Sequence, residues 1–179
     1  PETLTSINNM GALLESQGRL AEAEPFREEA LETSRRVLGN EHPNTLTFIN
    51  NMGSLLQSQG QTTEAEPYYR ESLETSRRVL GDEHPRTLIV ISNLALLLAD
   101  AGNGAQALEF ADEAVELGRR AIGAEHWLLG NFLGKRGRAL EELGRFAEAA
   151  AVMEEGYAVL VAQLGEEHEQ TTRVVGYIA

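Results

Sequence analysis

GNEHPNTL at residues 39–46 returns as GDEHPRTL at residues 81–88, a shift of 42. SRRVLG at 34–39 returns at 76–81 by the same shift. Outward from this pair, residues 1–42 align without a gap on 43–84 and agree at 30 of 42 positions, while 43–84 agree with 85–126 at 16. A fourth unit, 127–168, is weaker but sets LGRFAEA (143–149) against QGRLAEA (17–23), and a partial fifth unit covers 169–179. Such a period marks a repeat array over 1–179, in which each unit buries its apolar face only by stacking on its neighbours.

Each unit carries two helical patterns. Over 3–17, Leu4, Ile7, Met10, Leu13 and Leu14 recur with the spacing of one buried helix face. Gly18 stands where a helix C-terminus favours glycine. A second helix is predicted from about Ala21 to Leu38, packing through Ala23, Phe26, Ala30, Leu31 and Val37 and closed at Gly39 by a left-handed cap. Pro43 suits the first turn of the next helix, where its missing N–H is not needed. Arg35–Arg36, Arg77–Arg78 and Arg119–Arg120 fall in the last turn of each second helix, where cations complement the helix dipole. No segment shows strand-like alternation.

Composition excludes several classes. With no cysteine, disulfides, thiolate metal sites and a cysteine nucleophile are ruled out, which suits a cytoplasmic protein. The net charge of −13 divides as −4, −3, −3 and −3 over the four units, so the whole surface is acidic and repels nucleic acid. Its plain role is solubility. No apolar run is long enough for a membrane span, and no basic region precedes an apolar one as in a secretory leader. The chain opens on Pro1 and its last pattern stops at Ala179, so we expect part of a longer array.

NNMGALLESQGRLAEAEPFREEALE (8–32) and NNMGSLLQSQGQTTEAEPYYRESLE (50–74) resemble tetratricopeptide repeats, in the 42-residue variety of kinesin light chain and many bacterial proteins. The pattern of small residue, turn glycine, alanine and second small residue is met by Gly11, Gly18, Ala23 and Ala30, then Gly53, Gly60, Ala65 and Ser72. It recurs at Ala95, Gly102, Ala107 and Ala114, and at Gly137, Gly144, Ala149 and Gly156. The resemblance implies an all-α, right-handed superhelix of antiparallel helix pairs whose concave groove is lined by the first helix of each pair. It also implies that an Asn before the small residue grips the backbone of an extended peptide. That position holds Asn9, Asn51, Asn93 and Lys135; its neighbour holds Asn8, Asn50, Ser92 and Gly134; one turn on lie Ala12, Ser54, Leu96 and Arg138. An amide side chain donates and accepts at once, so it suits a bare peptide backbone. Asn is a poor mid-helix residue, so its recurrence needs a reason, which binding or duplication of one ancestral unit supplies. The expected peptide-binding residues are Asn8, Asn9, Asn50, Asn51, Ser92, Asn93, Lys135 and Arg138.

The fourth unit departs from the others. Arg136 replaces Met10, Met52 and Leu94 at a core-facing position, and Trp127 replaces the linker proline. Lys135, Arg136 and Arg138 form a compact basic run that suits either an acidic ligand group or a solvated face. GNGAQA (102–107) fits a dinucleotide fingerprint, but the other units place GRLAEA, GQTTEA and GRFAEA in that slot, so it is an inter-helix turn. GNFLGKR (130–136) lacks the spacing and the Ser or Thr of a phosphate loop. His42, His84, His126 and His168 repeat in the linkers, yet stacked helices lie about 10 Å apart and zinc–nitrogen bonds are about 2 Å, so they cannot share an ion. They are expected to serve as helix-cap and loop contacts.

No catalytic residue, metal or cofactor is expected, and the partner is a protein or peptide rather than nucleic acid or membrane. Two further roles stay open. Val174, Val175, Tyr177 and Ile178 suggest an apolar end face through which copies self-associate. The resemblance also extends to regulatory segments of larger signalling proteins, such as bacterial serine/threonine kinases.

Overall fold

A computed structural model describes the backbone of residues 2–178 and the side chains of 4–172 and 174. The described residues form helices α1 (Glu2–Ser16), α2 (Leu20–Leu38), α3 (Pro43–Ser58), α4 (Thr62–Leu80), α5 (Pro85–Asp100), α6 (Gly104–Ala121), α7 (Trp127–Glu142), α8 (Phe146–Leu164) and α9 (Glu169–Ile178), with no strand among them. The first helices start at the 42-residue spacing of the sequence. The chain divides into two compact units, Pro1–Gly81 with α1–α4 and Asp82–Ala179 with α5–α9.

Turn chemistry sets the helix ends. Gly18 has φ +73°, its N–H bonds to Glu15 O at 2.9 Å, and the next N–H, of Arg19, reaches back to Leu14 O at 2.9 Å. This paired closure needs a residue with positive φ and recurs at Gly60, Gly102 and Gly144. Gly39 behaves otherwise. Its φ of 89° and ψ of 165° put it in the extended, glycine-only region, not the left-handed helical one expected of a cap. The chain there leaves the helix stretched, which suits the short linker to α3.

Each linker histidine caps the helix after it. Nδ1 of His42 accepts the Asn44 N–H at 3.1 Å, with the same bond from Arg86 to His84, Leu128 to His126 and Gln170 to His168. The imidazole thus serves as an acceptor where Ser or Asp is usual, a role whose loss costs about 1 kcal/mol.

In Pro1–Gly81 the core is built where α3 seats on the α1–α2 pair. Leu55 packs against Leu14 and Ala23, with Leu20 and Phe26 beside them. Ser34 Oγ and Thr45 Oγ1, both buried, share a 2.7 Å hydrogen bond between α2 and α3. The predicted face of α1 is only half covered. Leu4 and Leu14 are buried, but Met10 and Leu13 are 44% and 51% exposed, whereas their counterparts Met52 and Leu55 are 3% and 0% exposed. The sequences match; what differs is that α3 has a helix pair in front of it. Val37, expected in the core, is 63% exposed. In Asp82–Ala179, α5 packs on α6 and α7, and α7 on α8 and α9. Val174, expected on an open apolar end, is buried, and Val175, Tyr177 and Ile178 lie outside the described side chains.

The arginine pairs sit in the last helical turns as expected and, within each compact unit, also bridge neighbouring repeats or their linkers. Arg35 holds both Glu71 oxygens at 2.8 Å, and Arg119 reaches Glu155 at 2.5 Å in the same register. Arg78 bonds to the linker Glu41 at 2.7 Å, and Arg120 to Glu83 at 3.5 Å. Exposed pairs of this kind contribute about 0–1 kcal/mol each, so they align the repeats more than they stabilise them.

Candidate functional site

In the first, second and fourth repeats a glycine of the first helix opens space for one long side chain of the second. A Cβ on Gly11 would lie 3.1 Å from Arg27 Cδ, and one on Gly53 3.1 Å from Tyr69 Cδ1. Positions 27, 69, 111 and 153 hold Arg, Tyr, Ala and Met. Arg27, Tyr69 and Met153 each lie over the glycine of their own first helix, and Arg27 reaches on to Asn8, whereas the third repeat has only Ala95 and Ala111 at these positions. Tyr69 is fully buried, and its hydroxyl donates to Gln57 Oε1 at 3.0 Å. Arg27 is 5% exposed; its Nε donates to Glu15 Oε1 at 2.5 Å and its Nη1 to Asn8 O at 3.1 Å and to Asn8 Oδ1. Sequence reasoning passed over Arg27, because a charged residue amid Glu-rich sequence looks solvated. The small residue opposite it, Gly11, was the available signal.

Asn8 Oδ1 also accepts from Asn51 Nδ2 at 3.1 Å, across one repeat. Asn9 is exposed, and Asn50 and Asn51 are half-buried. The asparagines of Pro1–Gly81 are therefore partly zippered together and not four separate prongs.

In Asp82–Ala179 the same register link is made by Lys135. Its Nζ donates to Ser92 Oγ at 3.2 Å and Asn93 Oδ1 at 2.5 Å. Ser92 is 1% exposed and donates to Ile89 O at 3.0 Å, so it supports the face from beneath. Arg138 bonds to Glu141 at 2.6 Å and lies 3.8 Å from Asp100 and Glu142. Partial burial alone would lower its pKa, but the hydrogen bond and charge of Glu141, then the charges of Asp100 and Glu142, outweigh this and raise it.

The basic run does not act as one cluster. Lys135 turns to α5, Arg138 sits among carboxylates, and Arg136 pairs with Asp112 of α6 at 2.5 Å. Arg136 keeps its head near solvent, with 30% of its side chain exposed, where Met52 and Leu94 are buried. It borders a hollow of about 510 Å³ with Val115, Glu116, Arg119 and Arg120. Each arginine there already has a carboxylate partner. Among the described residues no group of His, Asp and Glu could hold a metal ion, and no helix is long and apolar enough to cross a membrane.

Profiles of the tetratricopeptide repeat match residues 3–44, 45–86 and 86–161. Among solved structures, the nearly identical TPR-like repeats described as kinesin light chain of Podosopora anserina superpose with a TM-score of 0.77 at 22% identity, covering 99% of this chain and 84% of that one. BtubC (BKLC) of P. vanneervenii superposes with a TM-score of 0.75 at 22% identity, covering 93% of this chain and 66% of that one. At this identity the likeness speaks for the fold. The curated proteins include no match.

Proposed function

The chain belongs to the tetratricopeptide repeat family, whose members mediate protein–protein interaction, and on that premise we propose that it is a non-catalytic scaffold that grips an extended peptide segment. The gripping face is formed by the first helices. In Pro1–Gly81 it comprises Asn8, Asn9, Asn50 and Asn51; in Asp82–Ala179 it comprises Asn93, Lys135 and Arg138, with Ser92 beneath. The observation that carries this reading is the juxtaposition of Asn8 and Asn51 at 3.1 Å, with Asn9 exposed beside them. Side-chain amides at this spacing match the hydrogen-bonding groups of an extended backbone and ask little of its side chains.

The test uses a peptide selected by phage display on the intact chain. Substituting Asn9, Asn50 and Asn51 together by alanine is expected to weaken binding by about 30-fold, the equivalent of two net hydrogen bonds of about 1 kcal/mol each. Fluorescence anisotropy reads the affinity and circular dichroism the fold. Unchanged affinity in a folded variant removes this face from the proposal.

A second reading, self-association, is supported by the exposed Met10 and Leu13. Their counterparts Met52 and Leu55 are buried where α3 seats on the α1–α2 pair, so the matching face of α1 suits a helix pair of the same kind from a second copy. Met10→Ser with Leu13→Ser is then expected to dissociate oligomers seen by light scattering. A monomeric wild-type chain at high concentration eliminates this reading.

A further inference from the structure

The orientation of the Asn8 and Asn51 amides can be deduced from chemistry alone. Amide oxygen and nitrogen are ordinarily hard to tell apart, and the hydrogen-bond network decides between them. Here the network leaves no choice. A guanidinium carries donors and no acceptor, so the Asn8 atom that faces Arg27 Nη1 must be the oxygen. That same oxygen faces Asn51 at 3.1 Å, so the Asn51 atom there must be the NH2 group. One cation, 5% exposed and pinned to Glu15 at 2.5 Å and to Asn8 O at 3.1 Å, thus fixes two amides in sequence. Flipping Asn8 would set its NH2 against Arg27 and leave the buried guanidinium short of an acceptor. What remains on offer is the Asn8 NH2 as donor and the Asn51 Oδ1 as acceptor, on either side of the bond that joins them.

We propose that Arg27 is the polarity-setting residue of the Pro1–Gly81 face: it locks Asn8 and Asn51 into an ordered donor–acceptor pair that recognises the carbonyl and N–H of an extended peptide in one chain direction. The inference deepens the peptide-binding reading above and rests on it. An extended residue presents a C=O and an N–H on the same side, and reversing the strand exchanges their order along the face. Amides free to flip would accept both directions; locked amides favour one.

A parallel arrangement arises independently in the other unit. Lys135, on a first helix rather than a second, donates to Ser92 Oγ and Asn93 Oδ1. An ammonium also has donors only, so it too decides which end of the Asn93 amide turns toward it. Two different cations, from different positions of the repeat, each hold the oxygen of a groove asparagine inward.

The test exploits a replacement that the chain itself contains. Tyr69 and Gln57 occupy in the second repeat the positions of Arg27 and Glu15, over a glycine with the same 3.1 Å clearance. The Arg27→Tyr/Glu15→Gln variant should therefore fold while releasing Asn8. In 15N-labelled protein, the side-chain NH2 groups of Asn8 and Asn51 are expected to be rigid in the wild type. In the variant they should become mobile, with faster hydrogen exchange at Asn51. The probe is the blocked peptide N-acetyl-Val-Thr-Val-N-methylamide, whose β-branched residues favour extension. Its titration is expected to shift the Asn8 and Asn51 NH2 resonances in the wild type, with affinity about five-fold lower in the variant, the worth of about one hydrogen bond. Equal mobility of the Asn8 amide in both proteins overturns the lock. A rigid amide with probe-induced shifts confined to other residues overturns the peptide-binding reading of this face, and the directional recognition with it.

Discussion

Replacing Gly156 by valine is expected to lower the stability of the Asp82–Ala179 unit by about 3 kcal/mol, the upper range for overpacking a filled interface. Gly156 on α8 faces Gly130 on α7. A Cβ at Gly156 would lie 2.8 Å from the Gly130 carbonyl oxygen and 3.0 Å from Leu133 Cβ. Reciprocally, a Cβ at Gly130 would lie 2.7 Å from the Gly156 carbonyl oxygen. Each side meets the other's helical backbone, and Gly130 also meets Leu160 Cγ at 2.6 Å; the backbone cannot rotate out of the way as a side chain does, so the helices themselves must part. The other repeats solve this contact differently. Leu4, Leu46 and Leu88 stand where Gly130 does, against Ala30, Ser72 and Ala114 where Gly156 does. In the second repeat Ser72 Oγ bonds to Leu46 O at 3.2 Å. The fourth repeat removes both side chains and brings the two backbones together. Alanine at 156 should also destabilise, but less, because it recovers about 1 kcal/mol of helix propensity over glycine. Urea unfolding followed by circular dichroism measures both. An unshifted midpoint for the valine variant means that α7 and α8 part without penalty and the close approach has no energetic weight.

The parts of this molecule that were legible in sequence are those decided locally. The 42-residue spacing located the starts of α3, α5, α7 and α9 because a capping histidine precedes each, followed by Pro43, Pro85, Trp127 and Glu169. Gly18 announced its turn because only glycine accepts positive φ there at little cost. Coverage was not legible. NNMG is identical in α1 and α3, yet Met10 is 44% exposed and Met52 is 3% exposed, since hydrophobic periodicity says which face is apolar and not what stands against it. Val37 misled for a related reason: its residue type suits a core, but its register on α2 faces outward. At the site, the positions of the asparagines followed from the period, but their pairing did not. Asn8 to Asn51 and Ser92 to Lys135 are each links between residues 43 apart, one more than the repeat, and this offset follows from how successive first helices lie side by side. Hydropathy also hid Arg27, which is buried because Gly11 vacates the space and Glu15 supplies the countercharge.

Glu15→Ala is expected to cost the Pro1–Gly81 unit about 3–4 kcal/mol, because removing one member of a buried ion pair strands the other. Arg27 is 5% exposed and the Glu15 side chain 19%, so little water is available to take the place of the carboxylate. Asn8 still offers two oxygens to the guanidinium, which limits the loss but leaves the Arg27 Nε without its partner. The Arg27→Tyr/Glu15→Gln double variant should fall within about 1 kcal/mol of the wild type, since neutral replacements of buried pairs are often neutral or stabilising. The second repeat demonstrates that such a pair fits, with Tyr69 and Gln57 at 3.0 Å. A double-mutant cycle run in urea with Glu15→Gln, Arg27→Tyr and their combination is therefore expected to depart from additivity, with a coupling of about 2–3 kcal/mol. If Glu15→Ala costs under about 1 kcal/mol, the pair is effectively solvated and the premise of burial is wrong. If the cycle behaves as expected, the ion pair of the first repeat confers no stability that its neutral counterpart lacks. Its distinguishing product is then geometric, an asparagine amide held in one orientation, which is a property of use to a binding surface and of none to a core.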